Sequence, residues 1–169
     1  MSMANEITGL DEVQAKLRQL GNARKAKNAA TRASRKAMNI VKKAAVQNAK
    51  ALDDKDSPER IWKNIITKAG KTKGVDNVVM KVGVKGGARK YGTNADNRRA
   101  GRVGRRYQTQ GDKKNPGGDT WYWRFPEFGT AHQSATPFLR PALNNNTDAV
   151  QAEFARAYKE ELDKEIAKL

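Results

Sequence analysis

From Trp121 to Leu143 the chain carries Trp-Tyr-Trp-Arg-Phe-Pro-Glu-Phe-Gly-Thr and, five residues on, Thr-Pro-Phe-Leu-Arg-Pro-Ala-Leu. Two of the three tryptophans and three of the four phenylalanines lie in this run. The rest is polar, basic and rich in small residues. A buried large apolar side chain contributes about 1.5–3 kcal/mol, so an apolar anchor has to be built largely here. Alternation places Trp121, Trp123 and Phe125 on one face of a strand and Tyr122 and Arg124 on the other. Pro126 ends that strand or confines it to a sheet edge. Gly129-Thr130 reads as a sharp turn, and Thr136 as the cap of a last helix opened by Pro137. Leu139, Leu143, Val150, Phe154, Tyr158, Leu162 and Ile166 form its apolar stripe. Pro141 and Asn144-Asn145-Asn146 predict a kink near its start.

Upstream, helical periodicity is plain. Leu10, Val13, Leu17 and Leu20 predict a helix over about 9–20, with Asp11 and Glu12 in the first turn, where the dipole favours acids. Gly21-Asn22 breaks it. A longer helix follows over about 23–51, with a stripe of Ala26, Ala30, Ala33, Ala37, Ile40 and Ala44. Alanine favours helix and lets another backbone approach closely. Between Gln14 and Leu52 there are many cations, Arg32 and Lys36 among them, and no acid. This is either a solvated basic face or a helix that meets an acidic partner.

Ser57 and Pro58 look like a cap and first position of a short helix. Ile65 to Lys68 reads as a strand, Lys71 to Gly74 as a turn, and Val78, Met80, Val82 and Val84 as the alternating face of a second strand. Residues 85–119 hold Lys85, Arg89, Lys90, Arg98, Arg99, Arg102, Arg105, Arg106, Lys113 and Lys114 against Asp96 and Asp112. So little apolar surface hardly offsets the entropy of ordering. The expectation is a long basic flexible loop inserted between strands. The fold class expected is α+β: two N-terminal helices, an antiparallel sheet of three to four strands, and a C-terminal helix packed on it. Residues 1–169 form one domain in this reading. Its core is Trp121, Trp123, Phe125, Phe138, Leu139, Val78, Met80 and Val82.

The chain of 169 residues has 34 Lys plus Arg, 18 Asp plus Glu and a net charge of +16. Such a balance points to nucleic acid, an acidic protein surface or anionic lipid. No cysteine is present, which removes disulfides and thiolate metal sites. No apolar run approaches the roughly 20 residues of a membrane span, and Met1 to Leu10 lacks the pattern of a secretion signal. The expectation is a protein made and used in a cytoplasm, or assembled there into something larger, with no membrane among its expected partners.

Catalytic chemistry finds little support. His132, the single histidine, falls in a turn beside Ser134. Asp53, Asp54, Asp56 and Glu59 lack calcium-loop spacing. The glycines at 83, 86, 87, 101 and 104 do not form a phosphate-binding loop. Gly101 to Tyr107 resembles arginine-glycine tails that bind single strands. Glu127, among aromatics, reads as one half of an ion pair with Arg124 or Arg140, because an unpaired buried carboxylate is costly. No enzyme activity and no cofactor are expected.

An aromatic residue, Glu-aromatic-Gly-Thr, a variable turn and Pro-Phe-Leu-Arg-Pro-Ala stand here in order: Trp121, Trp123, Phe125, Glu127, Phe128, Gly129, Thr130, then Pro137, Phe138, Leu139, Arg140 and Pro141. This succession resembles the tailed-bacteriophage head–tail joining family, which includes tail-completion proteins similar to minor tail protein Z. The resemblance extends to Gly9-Leu10-Asp11, the alanine- and lysine-rich second helix and the segment before Ile65, and excludes 85–119. It implies a structural virion protein of the neck or tail end, assembled in the host cytoplasm. It also implies a homo-oligomeric ring, six-fold like the tail, between connector and tail proteins. Six copies of +16 repel one another unless acidic neighbours, or DNA in the channel, lie within about 8 Å. The candidate contacts are Arg89, Lys90, Arg98, Arg99, Arg102, Arg105, Arg106, Lys113 and Lys114. The alternative class is a basic nucleic-acid-binding protein.

Overall fold

The computed structural model describes residues 10–52, 59–72, 77–85, 89–107 and 116–169, with backbone alone for Leu10, Arg89, Arg106 and Tyr107. Helix and sheet are both present, so the α+β class holds. Within the described residues the chain falls into two compact units. One comprises the chain through Met38, Ala69–Lys81 and Asp148–Leu169; the other comprises Asn39–Lys68 and Val82–Thr147.

In the first unit, α1 (Leu10–Leu20) and α2 (Ala23–Lys50, its first part) are separated by Gly21 and Asn22. The Asn22 side chain accepts the Lys25 N–H at 3.0 Å and so caps α2. Helix α6 (Thr147–Ile166) packs on both. Leu162 of α6, Leu20 of α1 and Ala29 of α2 are the buried centre, and Val13, Leu17, Ala26, Tyr158 and Ile166 surround them. The rings of Phe154 and Tyr158 stack at 5.5 Å. The C-terminal helix therefore packs on helices, where a sheet was expected.

The buried positions of α2 are Ala29, Ala33, Ala37, Val41, Ala45 and Ala49. The step is four residues throughout, and only Ala33 and Ala37 belong to the expected stripe. At 3.6 residues per turn, each step of four advances about 40°, so the buried line winds about 200° around the helix. The first three positions serve the first unit and the last three the second.

Beyond α2, a 3₁₀ turn at Ile61–Asn64 leads into β1 (Ile65–Ala69), which pairs with β2 (Met80–Val84). The expected Ser57-Pro58 helix start lies outside the described residues. A second two-stranded sheet joins β3 (Arg89–Lys90) to β4 (Arg106–Tyr107), antiparallel, with Lys90 opposite Arg106. Helix α3 (Ala95–Arg99) lies between them in sequence. The described sheets have two strands each, not the expected three to four in one sheet.

The aromatic run is not a strand. Trp121–Trp123 forms a 3₁₀ turn that continues into α4 (Arg124–Phe128). Pro126 is the third residue of α4, where its missing N–H leaves no helical bond unmade. The last helical region is likewise two helices, α5 (Leu139–Asn144) and α6, parted near Asn145 and Asn146. The expected kink is thus a break at the asparagines. Pro141, third in α5, is compatible with that short helix.

The expected core is corrected with the strand. Phe138 is fully buried, but Trp121 and Phe125 are each 42% exposed. Trp123, Leu139, Val78, Met80 and Val82 are half-buried. The apolar interior of the second unit consists of Val41, Ala45, Ala49, Ile61, Ile65, Phe138 and Ala142.

Candidate functional site

The Glu-aromatic-Gly-Thr and Pro-Phe-Leu-Arg-Pro-Ala halves of the sequence motif meet at Glu127. Its carboxylate is buried. One oxygen accepts the Phe138 N–H at 2.8 Å and the Leu139 N–H at 2.9 Å. The other accepts the Arg140 N–H at 3.1 Å and Arg140 Nε at 3.4 Å. These backbone N–H groups open α5, whose own N-cap position, Phe138, offers no side-chain acceptor. Pro141 follows and has no N–H to satisfy. A single carboxylate from α4 therefore satisfies the first turn of α5, and its negative charge sits at the favourable end of the helix.

Arg140 closes the arrangement from outside. Its guanidinium donates to the Glu127 carbonyl at 2.6 Å and lies 5.4 Å from the Phe128 ring centroid. Of the two ion-pair partners expected for Glu127, the structure shows Arg140. Arg124 lies instead over the Trp123 ring.

Gly129 and Thr130 form the turn between the two halves. Gly129 has φ 76°, and a Cβ there would lie 3.0 Å from the Ala135 nitrogen, so both conformation and space favour glycine. Thr130 bridges to Gln133, and exposed His132 and Ser134 lie in the same turn region. Pro137 is half-buried just before Phe138.

A second polar hub was not foreseen. Asn64 is buried; its oxygen accepts the Gly117 N–H at 2.8 Å. Its nitrogen donates to the Gly118 carbonyl at 3.0 Å and to Thr120 Oγ1 at 2.8 Å. A Cβ on Gly117 would lie 2.1 Å from the Arg60 carbonyl. Asn64 thus fixes the chain immediately before the aromatic run. The available signals were the Pro116-Gly117-Gly118-Asp119 turn cluster and an amide at the entrance of an apolar strand.

Around these hubs the surface is aromatic and cationic. Trp121, Phe125 and Phe128 are 42%, 42% and 62% exposed on one continuous helical stretch. Trp121 meets Phe125 edge-on at 5.4 Å, and Trp123 lies 6.3 Å from Phe128.

The expected basic loop carries β3, α3 and β4. Asn94 caps α3 by accepting the Asn97 N–H at 2.8 Å, and buried Asn97 donates to the Gly92 carbonyl at 2.9 Å. Tyr91 and Arg105 extend the ladder through a 3.0 Å backbone bond. Lys90, Arg98, Arg99, Arg102 and Arg105 are exposed, and none has an ion pair among the described residues. The Arg102 guanidinium lies 4.9 Å from the Tyr91 ring centroid. Arg89 and Arg106 occupy paired strands, and Lys113 and Lys114 lie outside the described residues.

The basic face of α2 has a different fate. Within the first unit, Arg32 binds Glu161 at 2.5 Å and Glu165 at 2.6 Å, and Lys36 binds Glu161 at 2.9 Å. Lys164 adds a third cation on Glu161 at 2.9 Å. Hydrogen bonds from Lys36, Lys164 and Arg32, in that order, hold the buried Glu161 carboxyl at about 2 against an ordinary 4.5. Burial works against Glu165, but Arg32 and Lys168 still draw its pKa downward. Lys16 pairs with Asp163 and Glu12, and Lys159 with Glu12. The acidic partner expected for the α2 cations is, for Arg32 and Lys36, the protein's own α6.

Among the described residues no cluster of His, Asp or Glu could hold a metal, and no helix is long and apolar enough to cross a membrane. No family model, curated protein or solved structure matches this chain.

Proposed function

We propose that this protein is a structural subunit of the neck or tail end of a tailed bacteriophage, forming a ring that completes the tail and joins it to the head. The ring is homo-oligomeric, six-fold in register with the tail, and sits between connector and tail proteins in the virion. The observation that carries this reading is the helical stretch Trp121–Phe128, held in place by Glu127 and Arg140 but with Trp121, Phe125 and Phe128 partly exposed to solvent. Clustered exposed aromatics flanked by arginine are the composition of an interface centre. The motif behind the family resemblance thus has two parts: Glu127 with the first turn of α5 builds the support, and the aromatics are left for a neighbour.

Cation distribution supports the same reading. Arg32 and Lys36 are neutralised internally, whereas Lys90, Arg98, Arg99, Arg102 and Arg105 have no ion pair among the described residues and stand exposed to a partner. The reading is tested on particles made without this protein. Filled heads and separate tails are expected, and supplying the protein in trans should restore joined particles that contain it. Normally joined, infectious particles would overturn the proposal. A non-structural nucleic-acid-binding protein would also be missing from purified wild-type particles.

A further inference from the structure

We propose that the β3–α3–β4 module is a preformed binding site for the phosphodiester backbone of double-stranded nucleic acid, contacted through Lys90, Arg98, Arg99, Arg102 and Arg105 without reading base sequence. Such a site is independent of where in a particle the protein sits. The β3–β4 ladder, the Asn94 cap and the buried Asn97 amide hold the backbone that carries these cations. A binding surface ordered in advance loses less entropy on association than a flexible tail.

The chemistry then selects the partner. Four of the five cations are arginine, whose planar fork matches phosphate oxygens. All five are exposed, and Asp96 is the one acid between Arg89 and Tyr107. A carboxylate-bearing protein could also match guanidinium groups, but stable protein interfaces have an apolar centre. Here Val103 is the exposed large hydrophobic among the module's described side chains, at 40%. Polar, strongly positive surfaces of this kind are typical of protein–DNA contacts. Arg102 lies against the Tyr91 ring, which disfavours that ring as a base-stacking platform and leaves phosphate contact as the mode. Duplex offers the densest array of phosphates, about one charge per 1.7 Å of axis.

The test uses the full chain and a short, labelled, mixed-sequence duplex, titrated at several salt concentrations. A variant with Arg98→Gln, Arg99→Gln, Arg102→Gln and Arg105→Gln is compared with a control carrying Arg24→Gln, Arg35→Gln, Lys43→Gln and Lys68→Gln. Each removes the same charge from exposed positions. The module variant should lose at least about tenfold in affinity, with a log–log salt slope shallower by about 3–4, whereas the control should change by less than about threefold. A triple variant that keeps Arg102 on Tyr91 should lose about 2–3 of the slope, so the answer does not depend on that packing contact. Equal losses in module and control variants would overturn the site. So would polyglutamate competing as well as unlabelled duplex at equal charge, which would assign the surface to an acidic protein.

Discussion

At the scale of single residues, Glu127 has the most concentrated role in the second unit. Three consecutive backbone N–H groups and one arginine converge on its carboxylate, and Phe138, whose N–H is among them, is fully buried. Glu127→Ala removes the acceptor these donors share, and the Phe138 N–H among them is buried. Lost charge-assisted bonds and orphaned donors together should cost about 2–4 kcal/mol. Glu127→Gln keeps the size and one acceptor, and should cost about half of that. Denaturant unfolding of both variants checks the ordering; a Glu127→Ala protein as stable as wild type would show that the cap contributes nothing. The sequence made half of this legible. An acid among aromatics implied a partnered carboxylate, and Arg140 was one of two named partners. What it did not display was the convergence of backbone donors, because these carry no side-chain signature.

At the scale of elements, legibility followed the strength of local signals. Helices α1 and α2 were readable because helical spacing and the Gly21-Asn22 break agree there. The aromatic run failed because Trp-Tyr-Trp-Arg-Phe alternates like a strand while Pro126 fits the first turn of a helix equally well. Exposure decided against the strand: these rings are not the core, so the burial that would have favoured alternation is missing. The α2–α6 clamp was hidden because its acids, Glu161 and Glu165, lie over a hundred residues from Arg32. That clamp also makes a pH prediction. Glu161 has a folded pKa of about 2 against an ordinary 4.5. Its ionised form therefore stabilises the fold fully above the ordinary value, and this contribution fades as pH falls from about 4.5 towards 2. Stability measured by denaturant and circular dichroism should drop across that interval. Glu161→Gln should be weaker by about 1.5–3 kcal/mol near neutrality and should lose less on acidification. An identical acid profile in both proteins would remove Glu161 from the account.

At the scale of the whole molecule, the two kinds of side chain that normally decide a fold have partly exchanged places. Small alanines and a few acids hold the interior, while several large aromatics remain outside. Stability and assembly should therefore respond to different substitutions within the same motif. Phe138 is fully buried, and Phe138→Ala should cost about 3–5 kcal/mol. Trp121 and Phe128 are 42% and 62% exposed. The double substitution Trp121→Ser, Phe128→Ser gives up the ring contacts with Phe125 and Trp123 and should cost about 1–1.5 kcal/mol per site, well below Phe138→Ala. The same double variant should fail to restore joined particles when supplied in place of the natural protein, since it removes the apolar centre of the proposed interface without unfolding the support beneath it. Paired denaturation and complementation measurements separate the two effects. Full complementation by the double variant would show that the exposed aromatics are not the assembly surface, whereas loss of folding would show that they are part of the core after all.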